Sequence, residues 1–252
     1  MTGLVENYFR GYQELEATVL PLDITAEPFV LNIPGLGRTF GVFLVSSAAD
    51  LNTSKPFIDQ ILALGQPIVN GIAELTIPQY VASLQGNIHY GIYGETRTVT
   101  VQSFSNNVTA ITAKYVSQLP SDPSTLWYVH RLRGPSARPD PTSCFGTRES
   151  HWMVEIIGNV INETDTTVSQ AWTDGFHDEL QGSDETLIQT YIALTRPGDN
   201  PTINSYGANW DRLLSLKRKF DPWNVFNLAV PRLPEAYAET HGMGRYWHSE
   251  NI

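Results

Sequence analysis

Between two apolar runs, Thr125 to Leu132 and Ser150 to Ile157, the chain carries Gly134 to Arg148, GPSARPDPTSCFGTR, its most polar and most sharply bent segment. Loops held between strands are where reactive groups concentrate. The one carboxylate in this loop, Asp140, is flanked by Pro139 and Pro141, and the residues alone describe a solvated turn aspartate that bonds its own backbone. Upstream, His130 alternates along the Leu126 to Leu132 run and could face a pocket, although an inward, hydrogen-bonded structural histidine is the plainer reading. His89, His151, His177, His241 and His248 stand at no metal-ligand spacing with carboxylates, so no metal is expected. Cys144 is the single cysteine, which leaves no internal disulfide and no Cys-His arrangement with supporting context, and no Gly-x-Ser-x-Gly is present. Acyl-transfer chemistry is disfavoured.

The elements that must position these groups follow from periodicity. Residues 3 to 17 form an amphipathic helix with Leu4, Tyr8, Tyr12 and Leu15 on one face. Pro28 to Ile33 and Arg38 to Val45 are strands joined by Pro34-Gly35-Leu36-Gly37 as a hairpin-like connection. Asn52-Thr53-Ser54 caps a helix with Pro56 in its first turn and Gly65 at its close, burying Phe57, Ile58, Ile61 and Leu62. A short helix over 79 to 84 precedes the half-buried strand Arg97 to Phe104. Ser105 then caps a helix carrying Val108, Ile111, Tyr115 and Leu119. Thr164 starts another, with Val168, Ala171, Trp172 and Phe176 inward, and Leu187 to Leu194 reads as a strand. Strands and helices in this order, partly joined by hairpins, predict an α+β layer: a mainly antiparallel sheet with helices on one face.

Composition narrows the function classes. The 252 residues are 41% hydrophobic, enough for a sizeable core, and carry a net charge of −10. Nucleic acid and anionic membranes reward clustered Lys and Arg, so neither is an expected partner. No apolar run reaches the ~18 to 20 residues of a membrane span, and the opening MTGLVENYFRGYQ lacks the pattern of a signal peptide. Sequons at Asn52, Asn107 and Asn162 carry little weight in a chain this rich in Asn and Thr.

The densest pattern is Asn204 to Phe226, NSYGANWDRLLSLKRKFDPWNVF. Asn209 suits an N-cap, Asp211 and the Lys217 to Lys219 triplet suit the two ends of the helix dipole, and Pro222 stops the helix. Trp210, Leu213, Leu214, Leu216 and Phe220 form a broad apolar stripe. The order Tyr206-Gly207-Ala208-Asn209, Arg212-Leu213, Lys217, Lys219-Phe220-Asp221-Pro222, Asn224 and Phe226 resembles the closing motif of the berberine-bridge-enzyme-like FAD-linked oxidases, Y-G-x-N-x-x-R-L-x-x-x-K-x-K-[YF]-D-P-x-N-x-F.

That resemblance implies a substrate-type α+β domain over residues 1 to 200, lacking its first strand, a return segment of the flavin domain at 201 to 230, and a loose tail at 231 to 252. It implies FAD as cofactor and a small-molecule substrate. Asn209 and Tyr206 would stand on the flavin side. Phe145 and Arg148 resemble a family F-x-x-R segment, which makes Asp140 a candidate general base. Tyr191 matches the first residue of a family Y-x-N-Y strand and is the other catalytic candidate, whereas Leu194 replaces the second tyrosine and can move no proton. No counterpart of the family's flavin domain is recognised, so a separate or missing flavin-binding domain is the implied partner, and the chain alone is expected not to retain FAD. The reading is then part of an FAD-linked oxidoreductase for a small molecule, in the setting of secondary metabolism. A flavin-independent isomerase or cyclase and a non-catalytic binding module are the alternatives. An apolar surface near Tyr191, Tyr206 and Trp210 is expected where the flavin domain would dock.

Overall fold

A computed structural model describes residues 2–85, 90–187, 191–194, 196 and 205–227. Five strands, β1 (Ile24–Ile33), β2 (Gly37–Ser46), β3 (Thr96–Val101), β4 (Thr125–Leu132) and β5 (His151–Gly158), form one sheet in the order β2-β1-β4-β5-β3. Every neighbouring pair is antiparallel. Six helices are described: α1 (Thr2–Thr18), α2 (Leu51–Leu62), α3 (Ile77–Gln85), α4 (Asn106–Ser117), α5 (Thr166–Gln181) and α6 (Trp210–Phe220). The expected α+β architecture is the observed one.

Register explains how the sheet divides its side chains. Val30 lies across from Trp127, Trp127 from Ile156, and Val129 and Val99 both from Val154, so successive residues of each strand sort to opposite faces. One face, with Ile24, Ala26, Trp127, Val129, Trp152, Val154 and Val99, is covered by α1, α4 and α5 and forms the core. There Phe9 of α1 packs edge-on to Trp127 and Trp152. The Tyr8 hydroxyl donates to the Ala26 carbonyl at 3.1 Å, and the Ala26 N–H donates to the Tyr12 hydroxyl at 3.0 Å. The other face carries Glu27, Tyr128, His130, Met153 and Glu155, and α1, α4 and α5 do not cover it.

Several boundaries and faces differ from expectation. The N-cap of α2 is Asp50, whose carboxylate accepts from the Thr53 N–H at 2.9 Å, not the Asn52 to Ser54 triplet. On α1 the buried stripe is Val5, Tyr8, Phe9 and Tyr12, with Leu4 exposed. On α5 it is Ser169, Trp172, Thr173, Phe176 and Leu180, with Val168 exposed. Both helices are turned by about one residue, because their faces are set by the aromatic sheet surface rather than by their own hydrophobicity. Among the described residues, the segment read as a strand to Leu194 pairs with β3 near Glu185 to Leu187, and Ile192–Leu194 is a 3-10 turn. Ala193 and Leu194 favour helical backbone. Residues 188–190 and the tail at 231–252, with His241 and His248, lie outside the described residues, as does His89.

The C-terminal end of α1 is fixed to the exit of β4 by a buried ion triad. Glu16 accepts from Arg131 Nε at 2.9 Å and from Arg133 Nη1 at 3.0 Å, all three side chains being nearly buried. Arg133 also donates to the carbonyls of Leu20 and Pro21. Removing the carboxylate charge leaves two buried guanidiniums poorly paired. Glu16→Gln is therefore expected to lower unfolding free energy by about 3 kcal/mol, read from urea denaturation, against an effect near zero for Glu14→Gln on the exposed side of the same helix.

Candidate functional site

The sheet face that α1, α4 and α5 leave uncovered floors a cavity of about 540 Å³. Glu27 from β1, His130 and Leu132 from β4, and His151, Met153 and Glu155 from β5 line it, with Thr100 of β3 at the side. Phe145 and Thr147 of the long loop form one wall, and Tyr191, Ala193 and Leu194 form another. The second wall is held at both ends along the β3 edge. Glu185 O accepts from Gln102 N and Leu187 N donates to Thr100 O, each at 2.8 Å, and Arg196 Nη1 reaches Glu95 Oε2 at 3.1 Å.

The floor carries a polar chain built by register. Adjacent strands put Glu27, Tyr128, His130 and Glu155 on one face, within reach of each other. His130 Nε2 lies 2.9 Å from Glu155 Oε1, its Nδ1 lies 3.4 Å from Glu27 Oε2, and the Tyr128 hydroxyl donates to Glu27 Oε2 at 2.5 Å. The Tyr128 ring meets the imidazole edge-on at 4.5 Å. Burial alone would lower the His130 pKa, but the hydrogen bonds and charges of Glu155 and Glu27 outweigh it and push the pKa up to about 9. Burial, then Glu27, raises the Tyr128 hydroxyl well above the ordinary phenol range. His151 is different: burial lowers its pKa, and its Nδ1 bonds the Glu149 carbonyl at 2.6 Å.

The sequence candidates are distributed unevenly about this cavity. Tyr191 lines it, and so does Leu194. Asp140 stands in the exposed loop, where its carboxylate accepts from Thr142 N at 2.9 Å and Thr142 Oγ1 at 2.7 Å, and it is not among the lining residues. Those hydrogen bonds from Thr142 hold its pKa below the ordinary carboxylate value. Asn209 precedes α6 but makes no capping bond: its backbone is already helical, and its Nδ2 donates to Ser143 O at 2.6 Å. Tyr206 stacks on Trp210, and burial, then Cys144, raises its pKa. Gly146 N donates to Ser205 O at 2.9 Å, and a Cβ on Gly146 would come within 2.7 Å of that oxygen. Residues 205 to 209 thus dock on the loop behind Phe145, one layer away from the cavity.

α6 follows directly on the turn Gly207–Asn209. Its stripe is narrower than the sequence suggests, with Trp210 and Leu214 buried. Burial of Trp210 removes it from the expected apolar surface. Phe220, Trp223, Val225 and Phe226 are exposed instead, on a turn tied by Asp221, which accepts from Val225 N at 2.7 Å and Phe226 N at 3.1 Å.

Sequence reasoning passed over Glu27, Tyr128 and Glu155. Their signal was present: Glu155 interrupts the apolar run WMVEIIG, and a carboxylate in an interior strand costs stability unless it is paired or used. The raised His130 pKa also gives a stability prediction. A folded-state value above the ordinary 6.5 stabilises fully below about 6.5 and is lost as pH rises through about 9. We expect unfolding free energy to fall by about 1–2 kcal/mol across that window, discounted for a side chain still one-third exposed. His130→Gln should flatten this pH dependence, measured by urea denaturation at several pH values.

A second, smaller cavity of about 280 Å³ lies over Gly94 and Gly158 beside α5. Its acids Glu95 and Asp174 are joined by Arg196, and Arg97 also pairs with Asp174. Residues 190–230 match the family model described as berberine and berberine like. FAD-linked oxidoreductase aurO of Gibberella zeae is 26% identical over 183 residues, 73% of this chain and 36% of the relative. An FAD-linked oxidoreductase of Dictyostelium discoideum is 23% identical over 68% of this chain and 38% of its own length. Among solved structures, Physcomitrella patens BBE-like 1 superposes with a TM-score of 0.71 at 15% identity, over 90% of this chain and 50% of that one. Berberine bridge enzyme from Eschscholzia californica gives 0.66 at 14% identity, over 90% and 51%. In its closing motif and its curated relatives the chain is similar to the berberine-bridge-enzyme-like FAD-linked oxidoreductases, and the solved structures share its fold; it spans about half the length of those structures and a little over a third of the curated relatives.

Proposed function

We propose that this chain supplies the substrate-side wall of an FAD-linked oxidoreductase that oxidises a small organic molecule. The observation that carries the reading is the cavity on the sheet face opposite α1, α4 and α5, with Glu155 on its floor bonded to His130. In this reading residues 1–200 form the substrate-type unit and 201–230 the segment that returns toward the flavin unit, with Tyr206 and Asn209 on the flavin side. The described residues do not by themselves fit FAD. Their one Gly-x-Gly turn, Gly35–Gly37, closes the β1–β2 hairpin instead of opening a helix, so it offers no cradle of N–H groups for a pyrophosphate. The flavin-gripping residues therefore belong elsewhere.

What this chain's own residues do can be stated atom by atom. Glu155 Oε1 is occupied by His130 Nε2, while Oε2 has no donor among the described residues and is the acceptor for a substrate proton. Tyr191 and Phe145 bound the substrate laterally. Leu194, at the family's second tyrosine position, contributes contact area and no proton transfer, which moves the base role to Glu155. Asp140, on the exposed loop, is outside reach of that step.

Two measurements test this. The chain purified alone should keep no stoichiometric flavin through desalting, read by its visible absorbance. In the flavin-loaded enzyme, Glu155→Gln should lower turnover about 100-fold or more at unchanged flavin content, with Asp140→Asn within about twofold of wild type; the opposite ranking would return the base role to Asp140.

A further inference from the structure

The chain builds one unit twice, a helix, a hairpin and a second helix. α1, β1, β2 and α2 form it first, and α4, β4, β5 and α5 form it again. The hairpins meet through β1 and β4, which leaves β2 and β5 as the outer strand of each. β5 has a further neighbour on its outer side, the antiparallel β3, and nearly all of its residues are buried. β2 has no such neighbour among the described residues, ends the sheet, and buries none of its residues.

The ladder shows which groups of β2 face outward. Ser47 N donates to Asp23 O at 2.9 Å, one step beyond the Ile24↔Ser46 pair, so Asp23 and Ser47 are a hydrogen-bonded pair. Alternation from there commits Val45, Phe43, Gly41 and Thr39 to bonds with β1. Pro28 agrees with this phase, because it lies across from Val42, where the ladder needs no N–H. The N–H and C=O groups of Arg38, Phe40, Val42, Leu44 and Ser46 therefore point away from β1. Among the described residues they meet no other backbone.

Edges that face water are normally blunted by Lys, Pro, a bulge or an inward charge. β2, GRTFGVFLVS, contains neither Lys nor Pro and pairs with β1 without a bulge along its whole length. Its one charged side chain, Arg38, is turned to the carbonyls of Ser117 and Leu119. Phe40, Val42 and Leu44 lie half-buried at the margin of the core, and Phe43 leans on Phe29 on the opposite face. This is the make-up of an interior strand standing at an edge.

We infer that β2 is a self-pairing edge: two copies of the chain join β2 to β2, antiparallel about a two-fold axis through Val42, into one continuous sheet. A two-fold contact requires a patch that complements itself. With Val42 opposite its equivalent, Phe40 falls across from Leu44 and Arg38 from Ser46, so every outward N–H and C=O acquires a partner and the apolar margins of the two cores meet. Charge permits this. The chain carries a net −10, yet β2 holds no Asp or Glu, and the two Arg38 side chains stand at opposite ends of the shared ladder. The exposed apolar turn at Phe220 to Phe226 offers less, since the N–H groups of Val225 and Phe226 are already taken by Asp221. The inference is independent of the cavity, whose described lining includes no residue of β2.

Sedimentation of the full chain between about 1 and 100 µM should show its mass doubling with concentration. Across the same range, deuterium exchange at the amides of Phe40, Val42 and Leu44 should slow by about tenfold or more, a measurement on the wild-type chain that no folding defect can confound. Val42→Lys sets two ammoniums against each other on the axis, and Val42→Pro deletes the central outward N–H without touching the ladder to β1; each should raise the dimer Kd about 30-fold or more. Trp223→Glu, on the other apolar turn, should leave that Kd within about twofold. A chain that stays monomeric while those amides exchange freely would overturn the inference, as would a dimer that survives both Val42 variants or is lost in Trp223→Glu. A longer polypeptide containing this chain, with the same amides protected in its monomer, would give the edge to a strand of its own and overturn the second-copy assignment.

Discussion

Everything in this chain depends on the two-residue alternation of an antiparallel sheet. The apolar residues of β1, β3, β4 and β5 share one face, and Trp127, Trp152, Val154 and Ile156 are almost completely buried there. Burial of side chains of this size is worth ~2–3 kcal/mol each, so α1, α4 and α5 are drawn to that face and the opposite one is left uncovered by them. A slip of one residue in any strand would exchange the two sets. The same constraint that builds the core thereby delivers Glu27, Tyr128, His130 and Glu155 to a common surface.

Much of this was legible from residue order. The strand over 125 to 132, the Ser105 cap of α4, the antiparallel sheet with helices on one face, and the closing motif are all written in local patterns. What was not legible depends on partners distant in sequence. The faces of α1 and α5 are chosen by the aromatic surface beneath them, so Val5 and Phe9 enter the core where Leu4 stays out. Asn209 was read as a cap because its type and place suit one, yet the preceding turn already gives it helical backbone, and its Nδ2 donates to the Ser143 carbonyl. For the site, Tyr191 and His130 could be found by alternation and resemblance. Glu155 could have been found by asking why a carboxylate interrupts an apolar strand, whereas its pairing with His130 required the register between β4 and β5.

The polar chain on the floor also shows how a charged group is tolerated in a largely apolar cavity. No member stands alone: Tyr128 donates to Glu27, and His130 contacts both carboxylates. Such a network orders its members through one another, and removing one leaves the rest undersatisfied. Asp140 illustrates the contrast. Its carboxylate is held chiefly by Thr142 within its own turn, which makes it a local structural element of the loop.

The wall formed by Tyr191 to Leu194 is a 3-10 turn beside β3 rather than a sixth strand among the described residues. Among the described residues, Glu185 and Leu187 bond to β3 on one side and Arg196 to Glu95 on the other, and the turn between carries the backbone bond from Leu194 N to Tyr191 O at 3.1 Å. Side chains on a turn outside the strands can be exchanged without shifting strand register, so part of the cavity's lining is free of the constraint that fixes its floor.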